Sequence, residues 1–208
     1  MDSKAHIIIF AKAPLAGFAK TRLIPALGEE GAAKLARSMF ENTLSEAMAA
    51  DIGSVELCVT PNKASAFWKT YALPKTIVLS EQGEGDLGQR MARATQRALK
   101  EHPLVFLIGT DCPELDRYYL REALEELACH DACITQVSDG GYALLGLRAF
   151  DESLFKDIPW STEKVAALTL ERLRIIDWQV AHLKQLHDID EPSDLNYLPV
   201  KFRSDLSY

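Results

Sequence analysis

The segment LVFLIGTDCP at positions 104–113 decides the class of fold. Its first five residues form a continuous apolar run, which is typical of a strand buried on both faces of a parallel sheet. Gly109 ends the run, Asp111 follows two residues later, and Pro113 lies two residues after that. The segment therefore predicts a central strand that delivers a carboxylate to the carboxyl edge of a sheet.

Apolar runs and segments of helical period alternate on both sides of this strand. The runs lie at 6–10, 55–59, 76–79, 132–137, 142–147 and 177–182. Segments with apolar residues at three- and four-residue steps lie at 29–50, 64–71, 86–100, 117–128 and 162–174. The alternation predicts an α/β fold with helices covering a largely parallel sheet. Because Asp139-Gly140-Gly141 is a turn signal between two apolar runs, we expect an antiparallel hairpin and a mixed sheet.

Composition narrows the function classes. The chain has 208 residues, 48% of them hydrophobic and 25% charged, which predicts one globular domain over residues 1–208. Its net charge of −7 argues against a nucleic-acid partner. No apolar run approaches the roughly 20 residues that span a bilayer, so no membrane span is expected. The start, Met1-Asp2-Ser3-Lys4, lacks the features of a signal peptide, which favours a cytoplasmic protein.

The cysteines and histidines give little sign of chemistry. The four cysteines, Cys58, Cys112, Cys129 and Cys133, are too irregularly spaced for a disulfide scaffold and are interpreted as buried, reduced thiols. The five histidines are scattered, and the chain has no G-x-S-x-G segment. Acyl transfer through a nucleophilic triad is therefore disfavoured.

The loop that follows the first strand is a candidate phosphate site. Lys12, Lys20 and Arg22 place three cations within eleven positions at the carboxyl edge of a strand, where open α/β sheets bind ligands. Pro14 and Ala19 stand where a G-x-x-x-x-G-K-[ST] loop requires glycine, so this is not a Walker loop. Side-chain cations can still bind a diphosphate. The alternative is a solvated basic loop.

Two acidic segments are candidate metal sites. Asp111 at its strand end could anchor Mg²⁺, or it could cap the next helix with Glu114. Near the end of the chain, alternation would direct Asp188 and Asp190 to the same side if the backbone is extended. The alternative there is an acidic turn that caps a short helix.

Two glycine-containing segments are candidates for substrate contact. Residues 139–142, DGGY, offer a close backbone, a carboxylate and an aromatic face, although a hairpin turn needs the same residues. Residues 83–88, GEGDLG, lead to a helix N-terminus that could take an anion or the edge of a base. The letters of this second segment fit G-x-G-x-x-G, but the pattern alone is a weak signal, and dinucleotide binding is not inferred from it.

Six ordered segments together resemble a known bacterial family. They are IIIFAKAPLAGFAKTR, GDLGQRM, IGTDCPEL, DGGYALLGL, IPWST and DIDEPSDL, and they span residues 6–198. They look like a GT-A-like family of nucleotide-diphospho-sugar transferases, similar to 2-phospholactate guanylyltransferase. The resemblance implies a Rossmann-like three-layer α/β/α sandwich with a mixed central sheet.

The resemblance also implies roles for particular residues. Asp111 would hold Mg²⁺ or Mn²⁺, with Asp190 as a second acid on the metal. The phosphates would be bound by Lys12, Lys20 and Arg22. The base or sugar would be bordered by Gly85, Asp86 and Arg90. The acceptor side would be formed by Asp139, Gly140, Gly141, Tyr142, Trp160, Ser161 and Thr162.

The reaction itself is left open at this point. We expect glycosyl transfer from a nucleotide sugar to a small-molecule acceptor, with Asp139 positioning or deprotonating the acceptor. The alternative is nucleotidyl transfer from a nucleoside triphosphate, which releases pyrophosphate. Nucleotidyltransferases of this fold open with a glycine-rich loop, whereas Gly17 is the only glycine between Lys12 and Lys20. Glycosyltransferases of this fold use a D-x-D motif, and Asp111-Cys112-Pro113 keeps only its first acid. A second alternative is a nucleotide-binding protein without turnover.

Overall fold

The computed structural model describes residues 5–203, which contain a single sheet of seven strands. The strands are β1 (Ala5–Lys12), β2 (Gly53–Thr60), β3 (Val78–Glu81), β4 (Val105–Ile108), β5 (Ala132–Gln136), β6 (Tyr142–Leu147) and β7 (Val180–His182). Their order across the sheet is β3-β2-β1-β4-β6-β5-β7. Only β6 runs against its neighbours, β4 and β5, while the other pairs are parallel. The predicted mixed sheet is confirmed.

Helices cover both faces of the sheet. Within residues 5–203 they are α1 (Ile24–Ala50), α2 (Ala66–Thr70), α3 (Leu87–Ala98), α4 (Arg117–Cys129), α5 (Val165–Ile175) and α6 (Val200–Arg203), with short 3-10 helices at Thr21–Leu23, Glu152–Leu154 and Pro192–Tyr197. None of the helices in this range is long and apolar enough to cross a membrane.

The three-layer arrangement follows from the alternation of side chains along β1. Ile7 and Ile9 belong to the apolar cluster that contains Phe40 of α1 and residues of α4. Ile8 points the other way, into the cluster that contains Met91 of α3 and Leu173 of α5. A strand whose successive residues are buried on opposite faces must lie in the middle layer. The expected α/β/α sandwich is therefore confirmed.

The elements differ from the sequence predictions mainly at their ends. The helix predicted over 29–50 begins at Ile24, but Gly28 interrupts it with φ of 71°, a conformation that glycine adopts readily. Asp86 caps α3 as expected, and it shares a capping box with Gln89. The predicted strands at 76–79 and 177–182 shift to Val78–Glu81 and shorten to Val180–His182.

The segment from Ile189 to Phe202 packs back against α1. Ile189, Leu198 and Phe202 are buried in a third apolar cluster with residues of α1. The backbone N–H of Ile189 donates to the carbonyl of Asp111 at 2.9 Å. This contact places the acidic segment 188–190 directly beside the loop that follows β4.

The cysteines are free thiols. Cys58, Cys112 and Cys133 are buried as predicted, but Cys129 is exposed, so the prediction is wrong for that residue. Cys129 ends α4 whereas Cys133 lies in β5, so the two thiols do not share a helix face. Burial raises the pKa of the Cys133 thiol to about 12, which keeps it unreactive.

Candidate active site at the carboxyl edge of the sheet

A cleft of about 570 Å³ opens at the carboxyl ends of the parallel strands. Its walls come from the ends of β1, β2 and β4, from the β5–β6 hairpin, from the loop before α5 and from segment 188–190. Since β6 is antiparallel, its first residues lie at this same edge. The volume suits a small-molecule ligand, and the position is the one where open α/β sheets bind ligands.

Lys20 lies at the centre of the charged part of the cleft. Its side chain is only 6% exposed, and its Nζ lies 2.6 Å from Oδ1 of both Asp111 and Asp190. Burial by itself would lower the pKa of Lys20, but the two carboxylates outweigh it, and the pKa is raised above the ordinary value. Lys20 therefore stays charged and links two distant parts of the chain.

Asp111 is not the cap of the helix that follows. The N-cap of α4 is Asp116, whose side chain accepts from the backbone N–H groups of Tyr118 and Tyr119. The alternative in which Asp111 and Glu114 form that cap is therefore wrong. Glu114 instead accepts from the backbone N–H of His187 at 2.8 Å. Asp111 faces the cleft, and its half-exposed side chain pairs with Lys20.

Three other carboxylates form what we call the carboxylate cluster: Asp139, Asp188 and Asp190. One ligand oxygen from each lies within 4.8 Å of the other two. Asp188 and Asp190 flank the buried Ile189, so they share a side of the chain as alternation predicts. Asp139 comes from the β5–β6 hairpin, where its Oδ1 accepts the N–H of Gly141 at 2.7 Å.

The carboxylate cluster is only partly balanced: Lys20 pairs with Asp190, but no lysine or arginine of residues 5–203 pairs with Asp139 or Asp188. Asp188 is 8% exposed, and its side chain accepts a long hydrogen bond of 3.5 Å from Ser138. Burial, followed by repulsion from Asp139, raises the pKa of Asp188 to about 6. Clustered carboxylate oxygens are the donor set that Mg²⁺, Mn²⁺ and Ca²⁺ prefer, so the residues fit a hard divalent cation.

The sequence prediction included only part of this cluster. It paired Asp111 with Asp190 on the metal and assigned Asp139 to the acceptor, whereas the structure groups Asp139 with Asp188 and Asp190. Alternation offered Asp188 beside Asp190 as a candidate, but of these two the resemblance assigned a metal role only to Asp190. The D-x-D spacing of Asp188 and Asp190 was the available signal, but spacing cannot reveal which partners lie across from it.

The two other predicted cations line the cleft from its exposed side. Lys12 ends β1, and its Nζ lies 4.1 Å from the centre of the Phe18 ring. Arg22 lies beside Glu191, with Nη1 3.7 Å from Oε1 and both side chains more than half exposed. Unlike Lys20, these two side chains can reorient towards a ligand at modest cost in free energy.

Residues 85–90 contribute less than the sequence predicts. Gly85, Asp86 and Arg90 are not among the residues that line the cleft, although Leu87 and Met91 are. The Asp86 carboxylate accepts the N–H of Gln89 at 2.8 Å, and the Arg90 Nε donates to the carbonyl of Gly85 at 2.8 Å. Because a carboxylate already caps α3, this helix end does not favour an anion.

On the predicted acceptor side, six of the seven predicted residues line the cleft: Asp139, Gly141, Tyr142, Trp160, Ser161 and Thr162. Gly140 does not, and its role is in packing: with φ of 88°, a Cβ there would lie 2.2 Å from the carbonyl oxygen of Glu163. The carbonyl of Gly140 accepts the N–H of Ala166 at 2.9 Å. Gly140 thus fixes the hairpin against the loop that carries Trp160.

Gln82 also lines the cleft, and the sequence gave no sign of it. Its buried amide donates to the carbonyls of Ala11 at 3.3 Å and Cys58 at 3.1 Å. It therefore ties the end of β1 to β2 behind the cleft. No periodic pattern distinguishes such a residue from an ordinary loop glutamine.

A mixed sheet of this order with a charged cleft at its carboxyl edge places the chain in the nucleotide-diphospho-sugar transferase class of α/β folds. Within that class, the chain belongs to the family described as "Uncharacterized protein conserved in bacteria (DUF2064)", whose profile matches residues 43–162. The predicted resemblance is thereby confirmed. A comparison with curated proteins finds no match.

Solved structures agree with this placement. A structure from Desulfovibrio desulfuricans G20, described as a "putative nucleotide-diphospho-sugar transferase", is 32% identical with a TM-score of 0.88, and the match covers 96% of this chain and 87% of that one. CMP:2-keto-3-deoxy-manno-octonic acid synthetase complexed with CTP is 11% identical, with a TM-score of 0.59 and coverage of 98% and 100%. Rv0371c from Mycobacterium tuberculosis H37Rv, complexed with manganese, is 17% identical, with a TM-score of 0.54 and coverage of 94% and 97%. The last two share the fold.

Proposed function

We propose that this protein transfers a glycosyl group from a nucleotide-diphospho-sugar to a small-molecule acceptor, with the help of a divalent cation. The observation that carries the proposal is the pairing, at one sheet edge, of a carboxylate cluster with a buried lysine and two exposed cations. This combination suits a diphosphate and the cation that accompanies it. The description of the D. desulfuricans relative supports the same donor class.

The carboxylate cluster is the proposed cation site. Its three oxygens converge within 4.8 Å, and a cation there would offset both the burial of Asp188 and its repulsion from Asp139, which together raise the pKa of this carboxyl. A divalent cation would supply neutralisation of the charge that develops on the leaving diphosphate. The manganese complex of Rv0371c supports testing Mn²⁺ beside Mg²⁺.

Lys12, Arg22 and Lys20 are the proposed phosphate contacts. An ammonium carries three N–H donors, and Asp111 and Asp190 accept two of those of Lys20. The third remains available for a phosphate oxygen. Lys12 and Arg22 reach the same cleft from its exposed side and add the remaining positive charge.

The opposite wall of the cleft is the proposed sugar and acceptor side. Tyr142 and Trp160 offer aromatic surface, and Ser161 and Thr162 offer hydroxyl groups. Burial raises the pKa of Tyr142, so its phenol stays protonated and can only donate or accept hydrogen bonds. This wall suits a hydroxylated ring that stacks through its apolar face.

Nucleotidyl transfer is the second candidate. The three cations of the loop after β1, Lys12, Lys20 and Arg22, supply enough positive charge for a triphosphate. A fold neighbour was solved with CTP, which supports including nucleoside triphosphates in any test. In this reaction pyrophosphate would leave and the acceptor would be a phosphate.

One assay separates the two reactions. The purified protein is incubated with nucleotide sugars or nucleoside triphosphates, Mg²⁺ or Mn²⁺, and a panel of hydroxylated and phosphorylated acceptors. We expect acceptor-dependent release of nucleoside diphosphate from a nucleotide sugar, and its loss in Asp188→Asn but not in the matched surface variant Glu125→Gln. Pyrophosphate release from a triphosphate would establish the second candidate instead. Nucleotide binding without any turnover across the panel would refute both reactions.

A further inference from the structure

The loop before α5, residues 155–164, is held in place at both ends. At its start, the guanidinium of Arg172 donates to the carbonyl of Lys156 at 2.5 Å. At its end, the N–H of Ala166 donates to the carbonyl of Gly140 at 2.9 Å. The loop is therefore fastened to α5 and to the β5–β6 hairpin, which holds the backbone at its centre in one conformation.

Trp160 lies at the centre of this loop and forms part of the wall of the cleft. It packs against α3 at Gly88, where a Cβ would lie 2.4 Å from the indole Nε1. Only glycine allows this approach, so α3 sets the position of the ring. An aromatic ring that is already fixed can stack on the apolar face of a sugar at little cost in side-chain entropy.

Ser161, the next residue, has a backbone conformation that serine rarely adopts. Its φ of 64° lies in the left-handed region, which residues with a Cβ adopt at a cost in free energy. Asp51 and Asp177 have φ of 52° and 60°, but they lie at the ends of α1 and α5, where this conformation is common. Ser161 ends no helix, and glycine would suit its turn better. Such strain in a residue that lines a cleft points to a function for its side chain.

The hydroxyl groups of Ser161 and Thr162 differ in what they bind. Thr162 Oγ1 donates to the carbonyl of Pro159 at 2.7 Å and so stabilises the turn. Ser161 is exposed in the cleft, and its hydroxyl makes no hydrogen bond to any of residues 5–203. The cleft therefore offers a free hydroxyl one residue away from a fixed aromatic ring.

We propose that Trp160 and Ser161 form the subsite for the sugar ring of the nucleotide-diphospho-sugar, with the ring stacked on Trp160 and one of its hydroxyl groups hydrogen-bonded to Ser161 Oγ. Ser161 is then a specificity-determining residue, which distinguishes a nucleotide sugar from the nucleoside diphosphate alone. A glycine at this position would relieve the strain but could not supply the hydroxyl. The inference rests on the proposed function and adds the residues that recognise the sugar.

The test compares the affinities for a nucleotide sugar and for the matching nucleoside diphosphate, by calorimetry with Mn²⁺ present. The probes are UDP-glucose with UDP, GDP-mannose with GDP and ADP-glucose with ADP, and the pair that the wild type binds most tightly is used. Ser161→Ala removes the hydroxyl and keeps the Cβ, whereas Ser161→Gly removes both. Ser45→Ala, at an exposed serine of α1 outside the cleft, is the matched control.

We expect the wild type and Ser45→Ala to bind the nucleotide sugar more tightly than the nucleoside diphosphate. Both Ser161 variants should lose roughly fivefold in affinity for the nucleotide sugar, as expected for one hydrogen bond, and keep the wild-type affinity for the nucleoside diphosphate. Thermal melts should show Ser161→Gly to be at least as stable as the wild type, because glycine adopts the left-handed backbone without strain.

A second pair of variants tests the ring. Trp160→Phe keeps an aromatic face, whereas Trp160→Leu replaces it with an aliphatic side chain. We expect Trp160→Phe to retain most of the preference for the nucleotide sugar and Trp160→Leu to lose it. Equal affinities of these two variants for the nucleotide sugar would overturn the stacking role of Trp160.

The remaining outcomes separate this inference from the proposed function. An unchanged preference for the nucleotide sugar in both Ser161 variants would overturn the subsite and leave the proposed function intact. Equal losses for both ligands would also overturn it, because Ser161 would then support the cleft as a whole. A wild type that binds none of the nucleotides would refute the proposed function and this inference with it.

Discussion

Two groups of charged residues, each built around one buried carboxylate, are balanced in opposite ways. The first, which we call the Glu56 network, lies on the α3 face and contains Glu56, His6, Ser80 and Arg97. Glu56 is 1% exposed and accepts hydrogen bonds from His6 Nε2 at 2.9 Å, from Arg97 and from Ser80. The second is the carboxylate cluster, in which Asp188 accepts one long bond from Ser138.

The pKa values of Glu56 and Asp188 shift in opposite directions because their partners differ. Burial alone would raise the pKa of Glu56, but hydrogen bonds from His6, Arg97 and Ser80 outweigh it and lower the pKa to about 2. Burial raises the pKa of Asp188 to about 6, and neighbouring carboxylates add to the effect. A buried charge that has partners stabilises the native state, whereas one without them is held at a cost. The Glu56 network is therefore complete without a ligand, whereas a bound cation would balance the charge of the carboxylate cluster.

The largest expected effect on stability comes from a substitution in the Glu56 network. Glu56→Ala would leave Arg97 and His6 without their buried partner, and it should lower the free energy of unfolding by about 3 kcal/mol. Urea denaturation measures this loss, with the exposed Glu125→Ala as the control. A loss as small as that of the control would mean that Glu56 is not held as the structure indicates.

The next largest effect is expected from a substitution in the carboxylate cluster. If the proposed function holds, Asp188→Asn should lower transferase turnover by roughly 10²-fold, because this carboxylate would help to hold the cation that stabilises charge in the transition state. It should not lower the melting temperature of the metal-free protein, since one of several repelling charges is removed. If Asp188→Asn were less stable than the wild type but kept normal turnover, Asp188 would have a structural role like that of Glu56, and not a role in catalysis.

Acid should act on the Glu56 network. Because the pKa of Glu56 is lower in the folded protein than its usual 4.5, its stabilising contribution is present above pH 4.5 and is lost as the pH falls from about 4.5 to about 2. Melting temperatures of the wild type should therefore fall more steeply over this window than those of Glu56→Gln. Parallel curves for the two proteins would show that other carboxylates account for the acid sensitivity.

The smallest effect is expected at the exposed Lys12, in contrast to the buried Lys20. Lys12→Met should raise KM for the nucleotide sugar by roughly fivefold and leave the melting temperature unchanged, because an exposed charge interacts weakly through water. The buried Lys20 should show the opposite balance, with a clear change in stability on substitution. Steady-state kinetics together with thermal melts make this comparison.

Periodicity predicted most of the fold, and its errors are local. The buried run at 104–108 and the hairpin around Gly140 are visible because their patterns depend on near neighbours in sequence. Glu56 is different: it interrupts an apolar run, and its partner Arg97 lies 41 positions away. No local pattern could predict that pairing.

The parts of the candidate active site that depend on local sequence could likewise be predicted. The strand-end position of Asp111 and the cations of the first loop follow from the sequence, because parallel strands deliver their ends to one edge. The link between Lys20 and Asp190 joins residues 170 positions apart and depends on how the segment from Ile189 to Phe202 packs against α1. For that reason the sequence could pair Asp188 with Asp190 by alternation but could not show that Asp139 lies beside them.

The most direct test of the account is a calorimetric titration of the wild type and Asp188→Asn with nucleoside diphosphates, each with and without Mn²⁺. The account predicts that a nucleoside diphosphate binds the wild type tightly only when Mn²⁺ is present, and that Asp188→Asn loses this dependence together with most of the affinity. Binding of equal strength with and without Mn²⁺ in both proteins would contradict a cation site at the carboxylate cluster.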